Sequence, residues 1–349
     1  MSNHCAGFLF FIDMEIHKRV SLLHRNTFRM NVETELFAEY DSVDELLSLL
    51  TQYRDSKIFH IGAGSNVLFT KDFDGIILHS GINYFKEVSR THQEVLFEVG
   101  AGVVLDDFIN YSVENGYWGL ENLSYIPGEA GASAVQNVGA YGVEIKDVID
   151  SVNAVEIATG CRKTFSLPEC QYGYRDSVFK KELCGKYIIT SVVYRLSLIP
   201  KPVLEYGNVA KHLPEGVTVD NITPSQIRDI IINIRKDKLP DVVELGSAGS
   251  FFKNPVVPMD VFEKLKCQFP DIPHYLQSDG VKIPAAWLIE QCGWKGKCFG
   301  GAKVYEKQPL VIVNQNNASP NDVIVLAQSV ANSVKKSFGI NIVPEVIYI

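Results

Sequence analysis

Paired cysteines of the kind that bind metals or build disulfide frameworks are missing from this sequence of 349 residues. The seven cysteines are odd in number and none stands in a C-x-x-C pair, so neither a zinc knuckle nor a disulfide scaffold is indicated. We therefore expect no metal site, reduced thiols that behave as small apolar side chains, and a cytoplasmic location. The cysteines are Cys5, Cys161, Cys170, Cys184, Cys267, Cys292 and Cys298.

An excess of positive charge is also missing. The formal net charge is −8, and binding to phosphate backbones needs a basic face, so nucleic acid is not an expected partner. No apolar stretch is long enough to span a bilayer, and nothing indicates an obligate protein partner. The apolar run from Gly7 to Ile12 lacks a preceding Lys or Arg and stops at Asp13, which argues against a signal peptide. Met14 could serve as an alternative start.

The composition that is present is that of an ordinary globular protein. Hydrophobic residues make up 46% of the chain and charged residues 21%, which excludes disordered and fibrous classes. The length exceeds one typical hydrophobic core and predicts two or three domains.

Capping signals and apolar periodicity predict the regular elements. Ser42 with Glu45 forms a capping-box pattern before an apolar face, so a helix should run to about Arg54. The other predicted helices run from Leu105 to Asn115, from Pro224 after Thr223 to about Pro240, and from Pro320 after Ser319 to Gly339. Strands are predicted at Ile58 to Ile61, near Ile76 to Leu78, and at Tyr187 to Leu196.

A glycine turn, Gly62 to Asn66, follows the first of these strands. Its start matches the G-x-G-x-x-G dinucleotide pattern, but Val67 occupies the third glycine position and no helix pattern follows. A Rossmann fold is therefore not predicted. Two interpretations remain open: backbone N–H groups that cradle a phosphate, or an ordinary tight turn.

A second stretch of small residues runs from Ile126 to Gly142. Its glycines and alanines allow the backbone to approach a large flat ligand or a pyrophosphate, and the amides of Gln136 and Asn137 could bind the polar edges of such a ligand. Tight packing of backbone against backbone is the alternative interpretation of the same composition.

One carboxylate, one guanidinium and one hydroxyl stand in short, stiff contexts. Glu345 lies in an apolar C-terminal run, where a lone acid is costly unless it has a use. Arg175 lies in the segment from Tyr172 to Ser177, and Ser250 lies in the segment from Gly246 to Pro255. Each has a simpler interpretation, respectively a strand-edge acid, an ion pair with the neighbouring aspartate, and a turn cap. Together they form a plausible set for handling protons.

Five motifs, in order, resemble the family of UDP-N-acetylenolpyruvoylglucosamine reductases, flavoenzymes of peptidoglycan precursor synthesis. They are GAGSNVLF from Gly62, IPGEAGASAVQNVGAYG from Ile126, YGYRDS from Tyr172, GSFFKNP from Gly249 and PEV from Pro344. The resemblance implies an α+β protein with a vanillyl-alcohol-oxidase-like (PCMH-type) FAD-binding fold in two subdomains and a C-terminal α+β substrate-binding domain. The implied regions are an N-terminal extension (1–25), the FAD-binding region (26–200), the UDP-sugar domain (201–335) and a C-terminal segment returning to the active site (336–349).

The resemblance also implies a reaction, in which hydride passes from NADPH through FAD to UDP-N-acetylglucosamine enolpyruvate and gives UDP-N-acetylmuramate. Ser250 corresponds to the proton donor, and Arg175 and Glu345 to the pair that stabilises the enolate. Lys238 is a candidate neighbour that would stabilise the Ser250 alkoxide. Implied FAD contacts are Gly62, Ala63, Gly64, Ser65, Asn66, Gly128, Ser133, Gln136, Asn137, Gly139 and Ala140. Implied substrate contacts are Tyr206, Lys238, Asn254, Tyr275, Lys295 and Gln308, and the first and last of these match the tyrosine-loop subtype I.

The glycine stretches contain neither His nor Cys to tether a flavin, so the FAD should be non-covalent. The second stretch reads GEAGASAVQN and departs from other members of the family. This departure should leave backbone contacts intact but puts side-chain contacts at Glu129 and Ser133 in question.

Three other functions compete with this interpretation. A hydrolase using Ser250 or Ser247 is disfavoured, because neither serine lies in G-x-S-x-G and no paired histidine motif is visible. A different flavin oxidase on the same fold is a closer rival. A non-catalytic sensor of UDP-sugar and flavin is the non-enzymatic alternative, and the joint presence of Arg175, Ser250 and Glu345 argues against it.

Overall fold

The computed structural model describes residues 15–206, 208–277 and 280–349. Cys5, the apolar run from Gly7 to Ile12, and Met14 lie outside the described residues. The chain forms two compact units, each built from separate segments. The first unit includes residues 15–20, Thr34–Gly62 and Asp74–Ile231, and the second includes Ser21–Glu33, Ala63–Phe73 and Ile232–Ile349. The division into ligand-binding regions with boundaries at residues 25, 200 and 335, which came from the family resemblance, remains a prediction.

The α-helices are α1 (Val43–Gln52), α2 (Leu105–Glu114), α3 (Ala130–Gln136), α4 (Pro224–Lys238), α5 (Met259–Gln268), α6 (Ala285–Gln291) and α7 (Pro320–Phe338). Short 3₁₀ turns occupy Glu121–Leu123, Ile145–Asp147, Pro168–Cys170, Val178–Lys180 and Val209–His212. In the described part of the chain, no helix combines the length and the apolar character that crossing a membrane requires.

The strands that lie wholly or mostly in the first unit are β1 (Ile16–Ser21), β2 (Glu33–Tyr40), β3 (Ile58–Ile61), β5 (Phe73–Ser80), β6 (Phe85–Arg90), β7 (Glu94–Gly100), β8 (Gly139–Ala140), β9 (Val143–Glu144), β10 (Ile149–Glu156), β11 (Arg162–Ser166) and β12 (Tyr187–Ser197). The last residue of β1 and the first residues of β2 and β5 belong to the second unit. The strands of the second unit are β4 (Val67–Leu68), β13 (Gly246–Ser250), β14 (Val256–Val257), β15 (Tyr275–Gln277), β16 (Gly280–Lys282), β17 (Cys298–Phe299), β18 (Ala302–Val304), β19 (Val311–Asn314) and β20 (Ile347–Tyr348).

Helix termini lie close to the positions that the capping signals predict. The Ser42 hydroxyl accepts the N–H of Glu45 at 3.2 Å, and the Glu45 carboxylate accepts the N–H of the residue before Ser42 at 2.7 Å. At the start of α7, Ser319 and Asp322 form a complete capping box, and Gly339 ends this helix in the left-handed conformation. Each such cap contributes about 1 kcal/mol to helix stability.

Two sheets and a hairpin make up the first unit. The sheets have the strand orders β1-β2-β5-β3 and β11-β10-β12-β7-β6, and β8 pairs with β9. One core cluster includes the aromatic residues Phe97, Phe108 and Tyr194, and the last two rings stack at 5.4 Å. A second cluster packs Leu46 and Leu49 of α1 among β-strand residues. Ala130 and Ala134 of the second glycine motif belong to the first cluster, so its packing holds that motif in place.

The glycine turn of the first motif lies after β3, as predicted. β3 pairs in parallel with β5, and the residues that follow the turn form strand β4 rather than a helix. The exclusion of a Rossmann dinucleotide fold is therefore confirmed, since that fold requires a helix to begin at the turn.

The second unit contains sheets of order β13-β19-β18-β17 and β14-β16-β15, and the parallel pair β20-β4. Helix α7 packs on the four-stranded sheet through an apolar face that includes Val323, Leu326 and Val330, all buried. Phe251 and Phe252 follow β13 and are also buried. These two rings anchor the segment that carries Ser250.

Helix α3 is one of the elements that the sequence patterns did not predict. It lies inside the stretch of small residues, and the N–H groups of Ala130 and Gly131 donate to the carbonyls of Val103 and Ala101 at 2.9 and 3.0 Å. A Cβ on Gly131 would lie 2.8 Å from the Cβ of Ala101. Close backbone packing is therefore the reason for glycine at this position.

Candidate active site

Asn137 ends α3 in the left-handed conformation and ties the small-residue stretch to the segment that carries Arg175. Its Nδ2 donates to the carbonyl of Gly173 at 2.7 Å and to the carboxylate of Glu144 at 3.1 Å. Its Oδ1 accepts the N–H of Lys146 at 3.2 Å. The Asn137 amide is thus used to hold protein segments together.

Arg175 lies over the hairpin that follows α3. Its Nη2 donates to the carbonyl of Gly139, and its Nη1 lies 3.5 Å from the carbonyl of Asn137. A Cβ on Gly139 would lie only 2.7 Å from Nη1 of Arg175, so glycine is needed there for the guanidinium to take this position. Asp176, the acid next to Arg175, forms a salt bridge with Lys181 at 2.6 Å.

Two other predicted flavin residues use their side chains within the first unit. The buried Ser133 hydroxyl donates to the carbonyl of Ala130 at 2.7 Å and lies 3.0 Å from the Tyr194 hydroxyl. The Gln136 carbonyl oxygen accepts from the ammonium of Lys180 at 2.7 Å. Any contact that these residues make with a cofactor would add to these hydrogen bonds.

Gly64, in the first glycine motif, belongs to the second unit and packs against protein backbone. It has a φ of +63°, and a Cβ would lie 2.2 Å from the carbonyl oxygen of Arg25. Thr27 joins this turn to β13, because its N–H donates to Gly64 at 3.1 Å and its hydroxyl donates to the carbonyl of Ser247 at 2.6 Å. Tight backbone packing, which the sequence left open, is therefore one reason for this glycine.

The segment that contains Glu345 docks beside the predicted proton donor. Within the second unit, the N–H of Glu345 donates to the carbonyl of Phe251 at 2.8 Å, and the N–H of Lys253 donates to Val343 at 3.0 Å. This pairing places the backbone of Glu345 next to the residue that follows Ser250. The structure thus brings together two residues that lie far apart in the sequence.

The same C-terminal segment also contacts the first glycine motif. Nδ2 of Asn66 donates to the carbonyl of Glu345 at 3.3 Å, and the N–H of Ile347 donates to the carbonyl of Asn66 at 3.0 Å. Further along, β20 pairs in parallel with β4, and the hydroxyl of Thr70 donates to the carbonyl of Ile349 at 2.6 Å. Asn66, Glu345 and the Ser250 segment therefore form one cluster in the second unit.

Ser250 stands at an irregularity in the strand pairing. Ser247 pairs with Val313 and Ser250 with Val311, so β13 has one residue more than β19 between these pairs, and Gly249 adopts a φ of +66°. A bulge of this kind redirects a side chain at the edge of a sheet. Ser250 is exposed, whereas Ser247 is buried and is poorly placed to act as a hydrolase nucleophile.

Tyr206 lies beside the hairpin of the second glycine motif in the first unit. A Cβ on Gly142 would lie 3.1 Å from the Cβ of Tyr206. The buried amide of Asn122 holds this arrangement, because its Nδ2 donates to the carbonyls of Tyr141 and Val203 at 2.8 Å each. The predicted substrate residue is therefore attached to a predicted flavin segment.

The other predicted substrate residues belong to the second unit and are spread over it. Asn254 accepts the first N–H of α6, from Ala285, at 2.9 Å, and Gln308 lies in the loop before β19, in hydrogen-bond range of Leu310. Since Leu310 accepts the N–H of Phe251, this loop adjoins the Ser250 segment. Of the remaining three, Lys238 is exposed at the end of α4, Tyr275 lies in β15 with Lys282 over its ring, and Lys295 forms a salt bridge with Glu290.

Sequence reasoning missed two groups of residues that support the predicted site. Asn122 and Thr27 act through contacts distant in sequence, and no local pattern marks them. The pairing of Glu129 with His79 was also missed, although an acid inside an otherwise uncharged small-residue stretch was a visible signal.

The residues of the two glycine motifs fit a flavin dinucleotide in their chemistry. The turn from Gly62 to Asn66 contains no charged side chain, and it offers a hydroxyl, an amide and backbone N–H groups that suit an anionic diphosphate. The carboxylate of Glu129, which lies next to Gly62, is paired with His79 at 2.9 Å. A neutral donor set with its neighbouring acid compensated is compatible with FAD.

Two family models match separate parts of the chain. Residues 34–166 match the model of a family described as FAD binding domain, and residues 241–349 match that of UDP-N-acetylenolpyruvoylglucosamine reductase, C-terminal domain. The first range contains both glycine motifs, and the second contains Ser250 and Glu345. Arg175, Tyr206 and Lys238 lie between the two matched ranges.

Curated relatives match over nearly the whole chain. UDP-N-acetylenolpyruvoylglucosamine reductase of Bacteroides fragilis is 48% identical over 338 residues, covering 96% of this chain and 100% of the relative. The enzyme of the same name from Porphyromonas gingivalis is 45% identical over 341 residues, with coverage of 96% and 100%.

A solved structure shows the same fold. The crystal structure of UDP-N-acetylenolpyruvylglucosamine reductase from Thermus caldophilus has a TM-score of 0.67 at 21% identity and covers 96% of this chain and 99% of its own. This likeness and the FAD binding domain match confirm the predicted α+β, PCMH-type flavin-binding fold with a C-terminal substrate domain. On the evidence of its relatives, the chain belongs to the UDP-N-acetylenolpyruvoylglucosamine reductase family.

Proposed function

We propose that this chain is an FAD-dependent oxidoreductase that reduces UDP-N-acetylglucosamine enolpyruvate to UDP-N-acetylmuramate with NADPH, a step of peptidoglycan precursor synthesis. One structural observation carries the residue-level part of the proposal. The segment of Glu345 docks on both the Ser250 segment and Asn66 of the flavin motif, with the N–H of Glu345 2.8 Å from the carbonyl of Phe251. An acid, a hydroxyl and the turn proposed to bind flavin therefore share segments that are hydrogen-bonded to one another within one unit.

Bound FAD would accept hydride from NADPH and supply it to the enolpyruvyl group. The residues proposed to hold it are those of the turn from Gly62 to Asn66 and the stretch from Gly128 to Ala140. In the first segment the backbone N–H groups and small side chains allow close approach of a diphosphate. In the second, the internal hydrogen bonds of Ser133, Gln136 and Asn137 keep the backbone in place.

Arg175 and Glu345 are proposed to stabilise the negative charge that develops on the substrate. Hydride added to the carbon β to a carboxylate leaves an enolate, and preorganised donors aimed at such an oxyanion lower barriers by roughly 3–4 kcal/mol each. Arg175 is permanently charged and held by Gly139 and Asn137. Glu345 can contribute only as a protonated carboxyl group, because a carboxylate would repel the enolate.

Ser250 is proposed to donate the proton that the α carbon of the enolate requires. An aliphatic hydroxyl is a weak acid at neutral pH, so it can act only if a neighbouring cation stabilises the alkoxide left behind. Lys238 is the proposed cation. The bulge in β13 and the buried rings of Phe251 and Phe252 hold Ser250 at the edge of its sheet.

The UDP part of the substrate offers a uracil ring and a diphosphate, which suit aromatic faces and cations. Its proposed contacts are Tyr206, Lys238, Asn254, Tyr275, Lys295 and Gln308. A cytoplasmic location is proposed in addition, because the described cysteines are free thiols and the substrate is a nucleotide sugar. We propose neither nucleic acid, nor membrane, nor an obligate protein partner for the reaction.

The function is tested with the purified holoprotein. We expect a yellow protein whose flavin absorbance is bleached by NADPH and restored by UDP-N-acetylglucosamine enolpyruvate, with UDP-N-acetylmuramate as the product. UDP-N-acetylglucosamine, which lacks the enolpyruvyl group, is the control and should leave the reduced flavin bleached. A protein that binds FAD and the substrate without turning over would support the sensor alternative and contradict the proposal.

A further inference from the structure

Glu129 is the one charged side chain in the small-residue stretch from Ile126 to Gly142, and the proposed reaction gives it no role. Its side chain is only 8% exposed. A carboxylate in such a position is costly unless a partner compensates its charge. The partner is His79 of β5, whose Nε2 lies 2.9 Å from Oε1 of Glu129.

The imidazole of His79 lies between two carboxylates. Its other nitrogen, Nδ1, lies 2.8 Å from Oε2 of Glu39 on β2. A neutral imidazole has one N–H, so it can donate to only one of these acids, whereas the imidazolium can donate to both. The geometry therefore fits a charged His79.

The charges around His79 favour the same protonation state. Burial lowers the pKa of His79, but the hydrogen bonds and negative charges of Glu129 and Glu39 outweigh burial, so the pKa is raised. Another titratable group facing it is His60 on β3, whose pKa is lowered to about 3 by burial and by the charge of His79. His60 is thus neutral and hydrogen-bonded to the Tyr40 hydroxyl at 2.8 Å. The cluster holds one cation between two carboxylates.

This cluster, defined by Glu39, His79 and Glu129, adjoins the start of the first flavin motif. His79 is paired in register with Ile61, the residue before Gly62. A Cβ on Gly62 would lie 3.0 Å from Oε2 of Glu129. Glu129 also precedes α3, where its carbonyl accepts the N–H of Ser133 at 2.9 Å. Its carboxylate therefore contacts one flavin segment and its backbone belongs to the other.

We propose that Glu129 and His79 are positioning residues for the flavin: protonated His79 holds the Glu129 carboxylate against Gly62 and cancels its charge, so that FAD affinity falls when His79 loses its proton. The proposal rests on the flavin function proposed above. It assigns to the cluster a dependence of cofactor binding on pH.

The sign of this dependence follows from the groups involved. Below the pH at which folded His79 titrates, one cation offsets the acid nearest the diphosphate-binding turn. Above it, the neutral ring can still donate to Glu129, while Glu39, whose side chain is 51% exposed, is hydrated by solvent. The cluster then carries one more net negative charge beside a segment that binds an anionic cofactor, which should weaken FAD binding by on the order of tenfold.

The test measures FAD binding rather than turnover. Flavin is removed, and the apoprotein is titrated with FAD at about pH 6 and about pH 9, with flavin fluorescence as the signal. We expect wild type to bind about tenfold more weakly at the higher pH. Glu129→Gln should bind FAD more tightly than wild type at the higher pH, because it removes the negative charge that neutral His79 leaves uncompensated, and its transition should lie at lower pH because His79 keeps only Glu39. His79→Gln keeps an amide donor for Glu129 and should bind weakly at both pH values.

Glu39→Gln is the matched control. It removes the exposed carboxylate but keeps the buried pair, so affinity at low pH should be retained and the transition should shift to lower pH. Imidazole NMR shifts of His79 locate that transition independently, and thermal unfolding of each apoprotein checks that the variants are folded. If Glu129→Gln does not fold, the other two variants decide the question.

Three outcomes would overturn the proposal. The first is a wild-type FAD affinity that is equal at both pH values while His79 titrates between them. The second is a His79→Gln protein that binds FAD as tightly as wild type at low pH. The third, a wild-type apoprotein that takes up no FAD at any pH, would overturn the proposed function as well, which separates the two failures.

Discussion

Replacing Gly139 by alanine should displace Arg175 without removing it. The new Cβ would lie 2.7 Å from Nη1 of Arg175 and 2.9 Å from the carbonyl of Val143. Backbone gives way less readily than a side-chain end, so the guanidinium should move. Ordinary contact begins at 3.4 Å, which makes the displacement at least about 0.7 Å.

The size of the kinetic effect follows from this displacement. A misplacement approaching 1 Å, or the loss of one preorganised donor to an oxyanion, typically costs about 10²-fold in rate. Gly139 is also a proposed FAD contact, so Gly139→Ala is assayed with FAD bound, and flavin reduction by NADPH should be slowed less than reoxidation. Reoxidation of the reduced flavin by the enolpyruvyl substrate should be slower by about 10²-fold.

Stopped-flow spectroscopy separates the two half-reactions. Gly173→Ala is the matched control, since Gly173 lies two residues before Arg175 and its Cβ would meet only Asp176, at an ordinary 3.7 Å. That variant should reoxidise at close to the wild-type rate. Rapid reoxidation of Gly139→Ala would refute the assigned role of Arg175, and equal slowing of both half-reactions would indicate a damaged flavin site.

Three further predictions concern the donor, the substrate contact and the fold. Ser250→Ala should leave flavin reduction by NADPH intact and slow reoxidation by about 10²–10⁴-fold, with slower solvent-deuterium incorporation at the α carbon; wild-type-like reoxidation would exclude Ser250 as the donor. Lys238→Ala should raise the KM for the UDP-sugar by about ten- to a hundredfold and, because the same ammonium is proposed to stabilise the Ser250 alkoxide, should also slow reoxidation; an unchanged KM would count against the contact. Arg228→Ala breaks a largely buried pair with Asp106, whose oxygens lie 2.6 and 2.9 Å from the guanidinium, and should lower the free energy of unfolding by about 3 kcal/mol, as measured by urea denaturation. Arg90→Ala, which breaks an exposed pair with Glu87, is the control and should lower the free energy of unfolding much less than Arg228→Ala does.

The covalent state of the flavin gives one more test. Acid precipitation should release all yellow colour into the supernatant, because the glycine motifs supply no His or Cys to form a tether. Flavin that stays with the pellet would contradict non-covalent binding.

Helices whose ends are fixed by local chemistry could be predicted from the sequence. The Ser319 cap and Gly339 stop of α7 act within one turn of the helix, so their signals can be read without knowledge of the fold. The buried isoleucines of α4, predicted from their spacing, form its apolar face. Helix α3 gave no such signal, because its alanines and glycines have no apolar periodicity and its first N–H groups are bound by Val103 and Ala101.

The candidate site shows the same limit. Their side-chain types and local sequence contexts marked Arg175, Ser250 and Glu345 as candidates for handling protons. Their individual roles came from the family resemblance and not from spacing. The docking of Glu345 beside Phe251 depends on pairing between segments about ninety residues apart, which no local pattern encodes. The compensation of Glu129 by His79 is likewise a contact across 50 residues of sequence.

The parallel pair of β4 and β20 has a consequence for synthesis on the ribosome. Next to this strand pair, Asn66 is hydrogen-bonded to Glu345, which lies 279 residues further along the chain. At roughly 5–20 residues per second, β4 therefore waits about 14 to 56 seconds for its partner strand after it has been made. During that time the second unit lacks its closing contacts, whereas the rest of the first unit, Asp74–Ile231, is translated and can fold before β20 is made. Closing so long a loop is also entropically slow, so the cluster around Ser250 should be among the last parts of the nascent protein to form.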